Sequence, residues 1–596
     1  LKEQVELVTQ AMKNNPKDPG MMANMIMALI NRFNKTGVKD NFYEAVNLLH
    51  EAIQLLPKGH KHMPLFFRNL GALYYHESRF EEALSYFESM ATTLEALRGL
   101  RTSRKVRQKM SEEYAEFYAR LVVCCLELGQ PEKALRYIEA AKSRALVDAL
   151  HNQVADLSKL VTDDPVVRDN LANLQKIQAE INYLLKQLGT SDLDTGWIDP
   201  EEIRSRRPVE EINAELEQKR KEEDRLWNQL EIHAPVFAMT ISAPPFTLED
   251  AQELTKQENA TLISYYRSAQ GLLAFVVDQE SFVFQRLVKL DQKIDLVMAR
   301  YQKSIRAIDR PLGQTLMSYV LEEAWDLLIK PLCDYLPEHG SNLIIAPFGE
   351  LHLLPFVAFK DRETGDCLID RYQVKVVTSL NTLKAMRAQA NLPAEIQSNK
   401  AMTVVAYPGA DNPNEYGYLR GVEIEAEEIL KLYQNDAVAL AKSEATTMNT
   451  LENAVGSEKL HFACHGMFNP KDPYRSGLKL KDAWLTVRDI TTRMNLSGTE
   501  LVVMSSCLSG FPGVSKGEEL TGLLTAFIAS RAKAVVGSLW SVDDKSTARF
   551  MIEFYKNLEN GKPKVEALRD AQLYIRKQIQ WSHPYYWAPF FITGVD

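Results

Sequence analysis

Leu460-His461-Phe462-Ala463-Cys464-His465-Gly466 and Leu501-Val502-Val503-Met504-Ser505-Ser506-Cys507-Leu508-Ser509-Gly510 are the two runs on which the reading of this chain turns. Each is a short apolar run ending at small residues, the pattern of a strand buried on both faces of a parallel sheet. One stops at a His, the other at a Cys. In open parallel sheets chemistry collects beyond the carboxyl ends of the strands. If the two strands are neighbours, an imidazole and a thiol stand side by side there. A thiol attacks as thiolate, and a free Cys with a pKa of about 8.5 is mostly protonated at neutral pH. An adjacent His takes that proton and later delivers it to a leaving amine. Cys507 is thus the expected nucleophile and His465 the expected general base and acid. The N–H groups of Gly466 and Cys507 are the expected donors to a tetrahedral oxyanion.

Two other side chains compete for attention in the first run. Cys464 lies inside the apolar stretch and is expected to face a covering helix rather than substrate. His461 and His465 share one strand face about 13 Å apart. That is too far for one zinc ion, so no metal site is expected.

Further strands are expected at Asn342–Ala346, Tyr372–Thr378, Met402–Tyr407 and Ala534–Leu539, with helices Val422–Tyr433, Thr446–Val455, Lys516–Ser530 and Lys545–Asn560 among them. Strands alternating with helices predict a mainly parallel sheet covered by helices. Upstream, 260–266 and 271–277 read as two strands joined by a short turn, with 282–284 as a third. Residues 151–234 carry apolar residues at threes and fours, as in Leu171, Leu174, Ile177, Ile181 and Leu184. They are expected to form a helical hairpin around the polar stretch 189–208.

Residues 1–150 are helical with an internal period. Phe67-x2-Leu70-Gly71-x2-Tyr74-x8-Ala83-x3-Phe87 fits the 34-residue helix-turn-helix pattern of tetratricopeptide repeats, Phe replacing Trp at its first position. Small Gly71 and Ala83 let the two helices approach, and Tyr74 and Phe87 fill the gap. Such repeats present a concave face to a protein or peptide. The basic cluster Arg98, Arg101, Arg104, Lys105, Arg107 and Lys109 is read as a solvated helix face, with contact to RNA or an acidic partner as its functional counterpart.

The net charge of −9 over 596 residues argues against a general nucleic-acid coat. No export signal and no apolar run near 18 residues is evident, and the six cysteines are scattered rather than arranged as a disulfide framework. A cytoplasmic protein without membrane contact is expected.

The motif set resembles the CHAT family of caspase-like cysteine peptidases, from the clan of caspases, separase and gingipains. The residues that carry the resemblance are Phe462-Ala463-Cys464-His465-Gly466, Ser476-Gly477-Leu478, Leu485-Thr486, Asp489-Ile490 and 502–510. It continues through Gly517-Glu518-Glu519-Leu520-Thr521-Gly522-Leu523, Ala534–Trp540 and Trp587-Ala588-Pro589-Phe590. Pro347-Phe348-Gly349-x5-Pro355-Phe356 and the junction Ala141-Lys142-Ser143-Arg144-Ala145 extend it upstream. The resemblance implies peptide-bond hydrolysis by a Cys507–His465 dyad with no cofactor. It also implies restraint until a partner engages the repeats, and in one group it implies membership of an RNA-bearing CRISPR effector. Asp543 and Asp544 resemble a separase segment that lines the pocket for the residue before the cut, which implies a basic Arg or Lys there. Their competing role is to cap the helix beginning near Lys545. Glu518 is expected to close a capping box with Ser515, and Trp540 and Trp587 are expected in the core.

The organisation expected is therefore repeats over 1–150, a hairpin linker over 151–234, an N-terminal, pseudo-caspase-like part over 235–340 and a peptidase core over 341–596. The function expected is a cysteine endopeptidase whose repeats recruit substrate or activator in defence or signalling. The competing reading is a repeat adaptor whose C-terminal domain binds without turnover.

Overall fold

The computed structural model describes residues 19–55, 63–98, 117–153, parts of 169–184 and 211–229, and 246–596 apart from 269–270, 288–290, 309, 395, 411–413, 416, 434–435, 468, 470–474, 506–521 and 541–542. The chain divides into two compact units, one of residues 1–134 with 169–229 and one of 135–168 with 230–596.

The first unit holds α1 (Pro19–Thr36), α2 (Lys39–Leu55), α3 (Met63–His76) and α4 (Phe80–Arg98). The small-residue rule of the repeat is visible between α3 and α4. A Cβ on Gly71 would lie 2.5 Å from the Phe87 ring, so only glycine admits that ring; Ala83 and Phe87 are fully buried. In the hairpin segments Leu174, Ile177, Ile181 and Leu184 are buried, and Lys219 reaches Glu180 at 2.7 Å. The basic cluster from Arg101 to Lys109 lies outside the described residues.

Helix α5 (Pro131–Gln153) joins the second unit from Leu135. The reason is a buried ion pair: Glu139 and Lys142 have side chains 0% and 2% exposed and 3.5 Å apart. Lys142 donates to Ser264 Oγ at 2.8 Å and to the Ala346 carbonyl at 2.9 Å. Glu139 accepts from Ser264 Oγ at 2.8 Å and from the Leu380 amide at 2.7 Å. Charges this deeply buried persist only when fully partnered.

The second unit continues with α6 (Leu248–Glu258), β1 (Ala260–Ser268), β2 (Gly271–Val277), β3 (Phe282–Leu287), α7 (Asp291–Arg306), α8 (Pro311–Ala324), β4 (Asn342–Ala346), β5 (Gln373–Val376) and α9 (Leu380–Ala390). Their strands form a sheet of order β3-β2-β1-β4-β5, parallel across β1, β4 and β5. β4 and β5, on the C-terminal side of residue 340, thus belong to this first sheet. Ile344 and Ile345 pair with Leu262 and Ile263 of β1.

After β6 (Lys400–Ala406) come α10 (Arg420–Tyr433), β7 (Ala437–Ala441), β8 (Ser457–Ala463), β9 (Gly466–Met467), β10 (Gly477–Lys479), β11 (Trp484–Thr486), β12 (Leu501–Met504), α11 (Leu523–Ala529), β13 (Ala534–Ser538), α12 (Asp544–Glu559), α13 (Lys564–Arg576) and β14 (Phe590–Gly594). The main sheet runs β14-β13-β12-β8-β6-β7, parallel except at β14. Alternate residues serve opposite faces. Leu501 and Val503 join the core containing Phe554 and Tyr555 of α12, whereas Val502 and Met504 join the core containing Phe527 of α11. With both faces covered, the strands read as continuous apolar runs. All-α repeats followed by a helix-covered, mainly parallel sheet are what the sequence led us to expect. No helix among the described residues is long and apolar enough to cross a membrane.

Candidate active site

Three adjacent parallel strands, β6, β8 and β12, deliver the candidate site at their carboxyl ends. The pairing of β8 with β12 sets Phe462 opposite Met504, and the Ser505 amide continues it onto the Phe462 carbonyl at 2.9 Å. The run that leads to Cys507 is thus the direct neighbour of the run that leads to His465. Cys507, Ser515 and Glu518 lie outside the described residues; the described part of the helix expected at 516–530 is α11, with Gly522 at its N-cap.

His465 follows β8 and is partly exposed. Its Nε2 lies 2.6 Å from the carbonyl oxygen of Gly417. A carbonyl only accepts, so Nε2 carries the proton and the neutral ring keeps its lone pair on Nδ1. That tautomer has one basic nitrogen, Nδ1. The backbone that holds it comes from the loop after β6. Tyr407 continues the pairing, its amide bonded to the Ala463 carbonyl at 3.0 Å. Gly409 then lies against the imidazole: a Cβ there would fall 2.5 Å from His465 Cδ2, and its φ of +95° is in the region that favours glycine. The loop closes on itself where the Leu419 amide donates to the Pro408 carbonyl at 2.9 Å. Neither Gly409 nor Gly417 was expected. The available signal was Pro408-Gly409 directly after an apolar strand, a mark of close backbone approach.

Gly466 is buried and opens β9, opposite Leu478. Cys464 is 1% exposed in the core that includes Phe527 of α11, as expected for a packing residue. His461 faces the other way. It is fully buried, with Nε2 2.8 Å from Glu425 of α10 and Nδ1 3.1 Å from the hydroxyl of Tyr555 on α12.

The two aspartates divide. Asp543 is the N-cap of α12, accepting from the Ser546 amide at 2.9 Å. Asp544 is half-buried and accepts from the Gly421 amide at 2.6 Å. Burial holds its carboxyl above the usual range; the Gly421 hydrogen bond opposes this, Glu425 and Asp543 reinforce it, and His465 opposes it. Trp540 and Trp587 are core residues, each with its indole N–H on a backbone carbonyl, Tyr585 and Ser582 respectively.

Residues 319–595 match the family model of the CHAT domain. The matched part is under half of the chain, and with the repeat-like helices before it the arrangement fits a TPR–CHAT architecture. Tetratricopeptide repeat protein 28 of Homo sapiens is 26% identical over 326 residues, which cover 46% of this chain and 13% of that protein. Its counterpart in Mus musculus is 25% identical over 324 residues, with the same coverage. The match thus spans a small part of the length of these relatives. Among solved structures, the chain is similar to the Saccharomyces cerevisiae separase–securin complex, with TM-score 0.42, 11% identity and coverage of 97% of this chain and 49% of that one. It is also similar to the Arg-specific cysteine proteinase gingipain R, with TM-score 0.32, 10% identity and coverage of 51% and 74%.

Proposed function

We propose that the protein is a cysteine endopeptidase in which Cys507 and His465 form a catalytic dyad. The observation that carries this reading is the contact of His465 Nε2 with Gly417, which leaves Nδ1 as the basic nitrogen beside the strand leading to Cys507. The Cys507 proton passes to Nδ1 and the thiolate adds to the scissile carbonyl carbon. The oxyanion takes the N–H groups of Gly466 and Cys507. Collapse breaks the C–N bond as His465 returns the proton to the leaving amine, and water, deprotonated by His465, hydrolyses the thioester. General base and oxyanion contributions of this kind are each worth about 10²-fold or more.

We assign the residue before the cut as Arg or Lys. The support is chemical: a half-buried carboxylate at Asp544 favours a cation. Asp543 already serves as a cap, which makes Asp544 the selector of the two. The repeats recruit the substrate or an activator, and the protein acts in the cytoplasm in defence or signalling, including as the peptidase partner of an RNA-bearing effector. A peptide electrophile ending in Arg, with Cys507→Ala as control, tests the dyad: Cys507-dependent labelling is expected. Labelling absent with every activating partner would favour the adaptor reading.

A further inference from the structure

We infer that Asp544 is a positioning residue for His465, acting through the Gly421 amide and the Gly417 carbonyl; this rests on His465 being the base. Gly417 meets the imidazole at 2.6 Å. Two residues on, the Leu419 amide closes the loop onto Pro408. Two further on, the Gly421 amide, in the first turn of α10, donates to Asp544 Oδ2 at 2.6 Å. The loop that orients His465 is thereby tied at its far end to the first residue of α12.

The fit at this tie leaves no slack. A Cβ on Gly421 would fall 2.5 Å from both the Asp544 backbone oxygen and its Oδ1. One helical turn along α10, Glu425 reaches His461 of β8, which also meets Tyr555 of α12. Helix α10 thus meets α12 at Gly421 and, through Glu425, the strand that precedes His465. The tie to Gly421 needs an acceptor atom at Asp544, whereas selecting a basic residue needs a charge. Asn supplies the first without the second, and Ala supplies neither.

The experiment is nitrogen NMR of the full chain labelled at histidine, with the His465 signal assigned by His465→Gln and the spectra taken in alkaline solution. Wild type is expected to show the Nε2–H tautomer. Asp544→Asn is expected to keep it, while Asp544→Ala shifts it towards a mixture. Turnover in Asp544→Ala is expected to fall roughly 10²-fold through kcat. Should the Ala variant fail to fold, Asp544→Ser, whose hydroxyl falls short of the Gly421 amide, is read in its place. An unchanged tautomer in both Ala and Ser variants would overturn the proposal, as would an equal shift in Asn, which would make charge rather than hydrogen bonding the cause. A tautomer shift in the Ala or Ser variant but not in Asn, in a protein that cleaves nothing, would uphold the positioning role and sink the peptidase reading instead.

Discussion

The Nε2 of His465 and the carbonyl oxygen of Gly417 lie 2.6 Å apart, and Gly409 packs against the same Cδ2–Nε2 edge of the ring. Among the described residues the backbone carbonyl of Gly417 is what meets Nε2, which leaves Nδ1 as the basic nitrogen of the neutral ring. A methyl group at Gly409 would overlap Cδ2 and Nε2 of His465. Gly409→Ala is therefore expected to lower kcat/KM roughly 10²-fold, and the strain at its positive φ to cost about 1 kcal/mol. Initial rates on an Arg-terminated fluorogenic peptide, alongside a thermal unfolding curve, check both.

The Glu139–Lys142 pair is buried against Ser264, midway along β1, and Ala346, at the carboxyl end of β4. Lys142→Met strands Glu139 as an uncompensated charge and is expected to cost about 3–5 kcal/mol. Combining it with Glu139→Gln should recover part of that loss, because the orphaned charge is gone. Hydrogen exchange of β1 and β4 amides reads the stability of this region. Additive losses in the double variant would mean that the pair is not coupled.

His352 stands 7% exposed in the segment after β4, its Nδ1 3.0 Å from the Gly349 carbonyl. Burial pulls its pKa from 6.5 down to about 4; the Gly349 contact opposes this and the positive Lys142 reinforces it. The folded protein therefore binds this proton less readily than the unfolded chain. Stability is full above about 6.5 and falls as pH drops towards about 4, by about 1.4 kcal/mol per unit, roughly 3 kcal/mol altogether. His352→Gln should flatten this acid limb, measured as exchange protection in β4 across that range. An equally steep limb in the variant would assign the acid sensitivity elsewhere.

What could be read in advance follows from how local the determining physics is. Gly71, Ala83 and Phe87 were legible because one helical hairpin contains the whole packing problem. His465 at a strand end was legible because apolar runs buried on both faces have a recognisable composition. The cap at Asp543 was foreseen as one of two roles because capping involves only the next three residues. Gly409 and Gly417 were not legible, since their contact with His465 exists only because β6 lies beside β8, with Lys400 paired to Ser457 and Ala406 to Ala463, 57 residues apart in sequence. Which sheet the strands at 342–346 and 373–376 join was not legible for a related reason. Parallel strands alternating with helices look alike whichever sheet they join, and pairing with β1 is a long-range fact. Lys142 was seen as part of a junction motif, but its burial against Ser264 and Ala346 depends on contacts more than a hundred residues away.

The most direct measurement is mass spectrometry of new protein N-termini after incubating a lysate of the source cells with the wild-type protein or with Cys507→Ala. The dyad and the basic selector together predict a set of termini immediately following Arg or Lys, present with wild type and absent with Cys507→Ala. The same termini in both samples, whichever partners occupy the repeats, would contradict the assignment of this protein as a peptidase.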